Sequence, residues 1–110
     1  MFPNTFFHYI KSQPVERKEI KIVINAHNPT NNIYFDPSIE SIPKNGEITW
    51  INEDSSFHTV VSGSYGSGLY NFSSPLLMTG DKFSWIFDKN GTFNYFCTLH
   101  PFMKGTIKVT

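Results

Sequence analysis

An all-β sandwich of seven or eight strands is predicted by three features of this chain. Apolar residues recur at every second position, turn residues punctuate them at short intervals, and a helical period is hard to find anywhere. Residues 19–25 alternate Ile20, Ile22 and Ile24 on one face, the pattern of a half-buried strand. Residues 28–32 and the pair Asp36-Pro37 read as turns. Residues 39–43 form a short strand, Lys44-Asn45-Gly46 a turn, and residues 47–52 a strand with Ile48 and Trp50 facing one way. Another strand is expected over 57–61. The Ser/Gly-rich stretch 62–68 reads as loop, with a short strand over 69–72 beyond it.

The second half repeats the pattern. Residues 81–87 place Phe83, Trp85 and Phe87 on one face, and residues 88–91 end in the Asn-Gly pair that favours a hairpin turn. Residues 92–97 then put Phe93, Tyr95 and Cys97 inward, and residues 104–110 close the chain with Ile107 and Val109. Both aromatic stripes are expected in the core.

A chain of 110 residues has room for one domain. Residues 19–110 are expected to form it. Residues 1–18 are expected to be an N-terminal extension, either adjoining the point where a signal or anchor was removed or simply lying on the domain. The opening segment has no basic start followed by a long apolar stretch, so it is not an intact secretory signal. Nine basic and nine acidic side chains cancel, which speaks against nucleic acid as a partner. Charge is unevenly placed. Residues 55–80 and 90–103 carry no Asp, Glu, Lys or Arg, whereas charge gathers between Lys11 and Lys21. No apolar run approaches the roughly 20 residues that span a bilayer.

A single cysteine excludes an internal disulfide and leaves a buried thiol, a reactive thiol or a metal ligand. Its setting, Cys97-Thr98-Leu99-His100-Pro101-Phe102-Met103, places a thiolate, an imidazole and a thioether within one loop after a strand. Soft sulfur donors combined with imidazole favour copper, and two His with one Cys and a weak Met is the type 1 copper arrangement. His58, also following a strand, supplies the second imidazole. Zinc fits less well, because structural zinc sites rarely take Met as a fourth ligand. Taken singly, each of these residues is an ordinary core or surface side chain. Together, the order His…Cys-x-x-His-x-x-Met has no explanation in burial alone. His8 and His27 lack partners at suggestive spacing and are read as structural. No Ser/His/Asp order, paired-carboxylate motif or phosphate-binding glycine pattern is present.

Four segments, in order, resemble the cupredoxins, above all their plastocyanin and amicyanin branch. Trp50-x-Asn52-x-Asp54-x-x-x-His58-Thr59-Val60 is similar to the first ligand segment, and Gly91-Thr92-Phe93-x-Tyr95-x-Cys97 to the hairpin leading to the thiolate. Cys97-x-x-His100-Pro101-Phe102-Met103 resembles the short amicyanin ligand loop, and residues 104–109 the final strand. The resemblance covers about residues 19–110 and implies a Greek-key β-sandwich with one copper, bound by His58, Cys97, His100 and Met103.

Two positions depart from the pattern. Members of this branch often have Asn after the first His ligand, where this chain has Thr59, so Thr59 and Thr98 are expected to brace the two ligand loops instead. Phe96 stands where plastocyanins carry an exposed Tyr. The resemblance implies a monomeric electron carrier outside the cytoplasmic membrane, in the periplasm or on the outer face of the cell membrane. Larger redox proteins would dock transiently near His100 over Leu99, Pro101 and Phe102, and membrane association would run through a missing N-terminal anchor. The rival expectation is a cupredoxin with an open copper position that reacts with or senses a small ligand such as nitric oxide or nitrite. A copper carrier or store is disfavoured by the presence of only one Cys and three Met.

Overall fold

The computed structural model describes residues 15–66, 68 and 70–110. Among these, eight strands form two four-stranded sheets packed face to face. The first strand, β1 (Arg17–Ile22), buries Ile20 and Ile22 and exposes Arg17, Glu19 and Lys21, as its alternation dictates. It pairs antiparallel with the two-residue β2 (Phe35–Asp36) and parallel with β4 (Gly46–Asn52). In β4 the side chains of Ile48, Trp50 and Asn52 point inward at every second position. Gly46 opens β4 where a methyl group would collide with Ile42 and the Pro43 carbonyl. The edge strand β6 (Lys82–Phe87) completes the first sheet, in the order β2-β1-β4-β6.

The second sheet runs β3 (Ile39–Ile42), β8 (Lys104–Val109), β7 (Gly91–Phe96), β5 (Val61–Ser62). Strands β3 and β8 are parallel, β7 and β8 antiparallel. Consecutive strands repeatedly switch sheets, so both parallel pairs arise from crossovers between layers, the Greek-key solution to closing a sandwich. Trp50 of one sheet and Tyr95 of the other meet edge-on at 5.2 Å between ring centroids, and Phe35 meets Tyr95 at 4.7 Å. These rings, with Phe72 and Phe87, fill the space between the sheets.

Several expectations change in detail. β1 begins at Arg17 and stops at Ile22, because Asn25 adopts a left-handed conformation (φ 70°) that turns the chain. Ile24 is consequently 68% exposed instead of inward. The sequence reading passed over β2, whose two residues sit between turn signals. Residues 57–60 are not a regular strand. His58 makes an isolated bridge to Leu77, and pairing resumes only at Val61. No strand covers 70–72 among the described residues, although Phe72 is buried and Ser73 bridges Val61. The 83/85/87 stripe is only partly core. On an edge strand with no neighbour beyond it, Trp85 stays 39% exposed while lying against Phe72 at 5.8 Å. Phe96 is buried, with Tyr65 and Tyr70 over it at 6.2 and 6.4 Å.

Candidate metal centre

Two connections at one end of the sandwich converge. Antiparallel pairing of β7 with β8 sets Phe96 opposite Lys104, so residues 97–103 must close that hairpin. They do so by successive tight turns. The Cys97 carbonyl accepts from the His100 amide (3.3 Å), the His100 carbonyl from the Met103 amide (2.9 Å), and the Met103 carbonyl from the Cys97 amide (3.2 Å). A one-loop spacing of three thereby brings Cys97, His100 and Met103 to the same end. The loop after β4 brings His58, held in extended backbone by two hydrogen bonds with Leu77.

His58 Nδ1 lies 3.6 Å and His100 Nδ1 3.7 Å from Cys97 Sγ, and the three donor atoms all fall within 4.8 Å of one another. A metal bound at about 2.3 Å to sulfur and about 2.0–2.1 Å to nitrogen separates those atoms by about 3.8 Å in a trigonal plane and about 3.6 Å in a tetrahedron. Both sulfur–nitrogen distances therefore match the spacing one ion requires. His58, Cys97 and Met103 are fully buried and His100 partly so. The set of one thiolate, two imidazoles and a nearby buried thioether is that of a soft, redox-active ion, and it fits copper.

The electrostatics favour the ligating forms. Burial pushes the Cys97 thiol up, but hydrogen bonds from His58, the Thr59 amide and His100 outweigh it and bring it down to about 6. The Thr59 amide donates to Sγ at 3.4 Å. Burial likewise disfavours the charged form of His58, yet the hydrogen bonds and charges of Cys97 and Asp54 raise it. Above about pH 6 the thiolate needs no proton displaced, whereas below that each ion bound must expel one. Apparent affinity for a divalent metal is thus expected to fall by about tenfold per pH unit once His58 takes up its proton, which begins above its usual 6.5, and by about a hundredfold per unit below about pH 6, where Cys97 must give one up as well. Competition with a chelator of known pH dependence measures this, and an affinity flat down to pH 4 would exclude Cys97 as a ligand.

Thr59 and Thr98 meet across the two loops. Their hydroxyls are 2.7 Å apart and the Thr98 amide donates to Thr59 Oγ1 at 2.9 Å. Leu99 is 51% exposed, while Pro101 and Phe102 are half-buried, Phe102 packing on Tyr34 (5.2 Å) and near His100 (5.9 Å). Two residues near the site were missed. Asp54 is buried and lies 2.7 Å from His58 Nε2, and His27, read as an unpartnered structural residue, reaches the same carboxylate at 2.9 Å. The signal for Asp54 was its place four residues before a candidate ligand. Nothing in the spacing pointed to His27, which comes from a different loop. His8 lies outside the described residues.

Comparison with known proteins agrees with this geometry. The family described as copper binding proteins, plastocyanin/azurin family, matches residues 22–110. Amicyanin of Paracoccus denitrificans is 36% identical over 64 residues, 56% of this chain and 47% of its own. The chain thus spans about half the length of the amicyanins it matches. Plastocyanin of Scenedesmus fuscus is 34% identical over 70% of this chain and 87% of its own. Among solved structures, a purple cupredoxin from Nitrosopumilus maritimus superposes with a TM-score of 0.77 at 32% identity, covering 84% of this chain and 98% of that one. From the hairpin loop, the buried thiolate with its two imidazoles and these matches, the chain belongs to the plastocyanin/azurin family of copper-binding proteins, the cupredoxins.

Proposed function

We propose that this protein carries single electrons through one copper ion held by His58, Cys97 and His100, with Met103 as a weak fourth donor. The observation that carries the reading is the convergence of two imidazole Nδ1 atoms on one buried thiolate, beside a buried methionine on the same loop. Copper, when bound, supplies a one-electron couple between Cu(II) and Cu(I). The chain's task is to keep its donors still as the charge changes. Thr59 and Thr98 tie the two ligand loops, the Thr59 amide holds the sulfur, and β7 and β8 anchor both ends of the 97–103 loop. Donors that hardly move need little reorganisation, which favours fast exchange.

The buried Met103 supports a closed site over one that leaves a position open for nitric oxide or nitrite. Met103→Leu is expected to retain copper and raise the reduction potential, because a weaker donor stabilises Cu(II) less. The visible spectrum on adding Cu(II), followed by voltammetry, tests both points. An unchanged potential in Met103→Leu, or a new spectral response of the parent protein to nitrite, would favour the open-site reading.

Electrons enter and leave beside His100, the one donor residue with exposed surface, and a larger redox protein docks on Leu99, Pro101 and Phe102. This rim carries no formal charge between residues 90 and 103, so contact desolvates little charge and releases quickly. A monomer working outside the cytoplasmic membrane fits such transient docking. Leu99→Lys is expected to slow exchange with the partner by about tenfold, equivalent to about 1.4 kcal/mol, with the copper spectrum unchanged. The rate should depend only weakly on ionic strength. A steep salt dependence, with no effect of Leu99→Lys, would move docking to the charged segment between Lys11 and Lys21.

A further inference from the structure

Behind His58 lies a hydrogen-bonded chain that reaches solvent. His58 turns Nδ1 toward Cys97, so a metal at Nδ1 leaves the ring proton on Nε2, which points at Asp54 Oδ2 at 2.7 Å. Asp54 is buried and accepts backbone N–H groups from Asn25 (2.9 Å), His27 (3.1 Å) and Ser55 (2.9 Å). The left-handed turn at Asn25 brings the amides of residues 25 and 27 onto the carboxylate. Burial pushes this carboxyl up, but hydrogen bonds from His58, His27, Asn25 and Ser55 hold it well below the usual carboxylate range. Asp54 therefore stays ionised, and both its oxygens meet His27 Nδ1, Oδ2 at 2.9 Å and Oδ1 at 3.2 Å, so Oδ2 faces both imidazoles. The His27 side chain is 38% exposed, so solvent protons reach one end of the chain and the donor set lies at the other.

Resting on the copper reading above, we propose that Asp54 and His27 are positioning residues for His58 that couple protonation of an exposed imidazole to the electron at the metal. With His27 neutral, the full negative charge of Asp54 bears on the His58 Nε2 proton, which strengthens His58 as a donor and favours Cu(II). With His27 protonated, the carboxylate is shared between the His27 imidazolium and the His58 N–H and the donor weakens, favouring Cu(I). Reduction takes one electron from an external donor protein, and up to one proton passes from water to His27 to accompany it. Imidazole is suited to the role, as its charge changes between about pH 5 and 8. Asp54 is the charged group in contact with the His27 ring, and His58 is the titratable group beyond it. Glu53 and Asp81 on the surrounding segments are exposed, so solvent and salt damp their influence.

The test has two arms. In the metal-free chain, NMR compares the His27 ring-nitrogen signals of the parent and Asp54→Asn at one pH. The Nδ1 signal is expected to move when the carboxylate that meets it is replaced, and an unmoved signal overturns the pairing. In the copper-loaded chain, the reduced-to-oxidised ratio at one applied potential is compared between pH 5 and 8 for the parent and His27→Gln, a substitution at a partly exposed residue. The ratio is expected to fall about fivefold more in the parent, the low end of ordinary coupling between sites. Identical profiles overturn the proposal even where the NMR arm succeeds. A chain that gives no coloured copper form overturns the carrier reading and this coupling with it, while the NMR arm still reports on the His27–Asp54 pair.

Discussion

Cys97→Ser is expected to give a folded sandwich that has lost its intense visible absorption. The band of a Cu(II)–thiolate site is charge transfer from sulfur, and a serine oxygen, protonated at neutral pH, is a far weaker donor. Folding should survive. The Thr59 amide that donates to Sγ remains to meet the new hydroxyl, so the buried polar atom costs about 1–3 kcal/mol, with the low end favoured by that hydrogen bond. A second readout separates loss of the metal from loss of colour. Copper at a thousandfold excess over its dissociation constant stabilises the parent by about 4 kcal/mol, which raises its melting temperature. In Cys97→Ser that stabilisation should nearly vanish, leaving melting curves with and without copper close together. Retention of an intense band, or an undiminished copper-dependent rise in melting temperature, would exclude Cys97 as the central donor.

Much of this centre was legible before any coordinates, for a definite reason. Three of its four proposed ligands lie on one hairpin loop, where spacing along the chain and proximity in space are nearly the same thing. His58 required only that the end of β4 reach the same end of the sandwich, which the order of strands implied. The Thr59–Thr98 brace was legible because each threonine adjoins a ligand. Asp54 and His27 illustrate the opposite case. A contact made by a side chain from the turn after β1 depends on the left-handed conformation of Asn25, and no periodicity encodes it.

The fold shows the same division. Alternation located β1, β3, β4, β6, β7 and β8 to within a few residues, since a buried face forces a period of two. It failed for β2 and β5, which are two residues long and carry no period at all. It also misplaced Trp85, because sequence reveals that three aromatics share a face but not that the strand bearing them is the last in its sheet.

Gly105→Ala is expected to be among the most destabilising single-methyl additions in the chain. Gly105 on β8 sits directly across from Tyr95 on β7, and a Cβ built there would strike Tyr95 Cζ and Oη and approach Cε2 within 2.7 Å. The ring has no room to yield. It is buried, wedged edge-on between Trp50 at 5.2 Å and Phe35 at 4.7 Å. The strain must pass into the backbone of β7 and β8, the two strands that flank the 97–103 loop. Overpacking of this kind costs about 3 kcal/mol, or about 10–20 °C in melting temperature for a domain of this size. Removing the obstacle should relieve the clash. Tyr95→Leu costs stability on its own by opening a cavity, but combined with Gly105→Ala the loss should be about 1–2 kcal/mol less than the sum of the two. The strained hairpin should also shift the copper band in Gly105→Ala, since the donors at its end move with the strands. Strict additivity in the cycle, or a Gly105→Ala protein that melts within about 2 °C of the parent, would show that the hairpin accommodates the methyl without moving the loop.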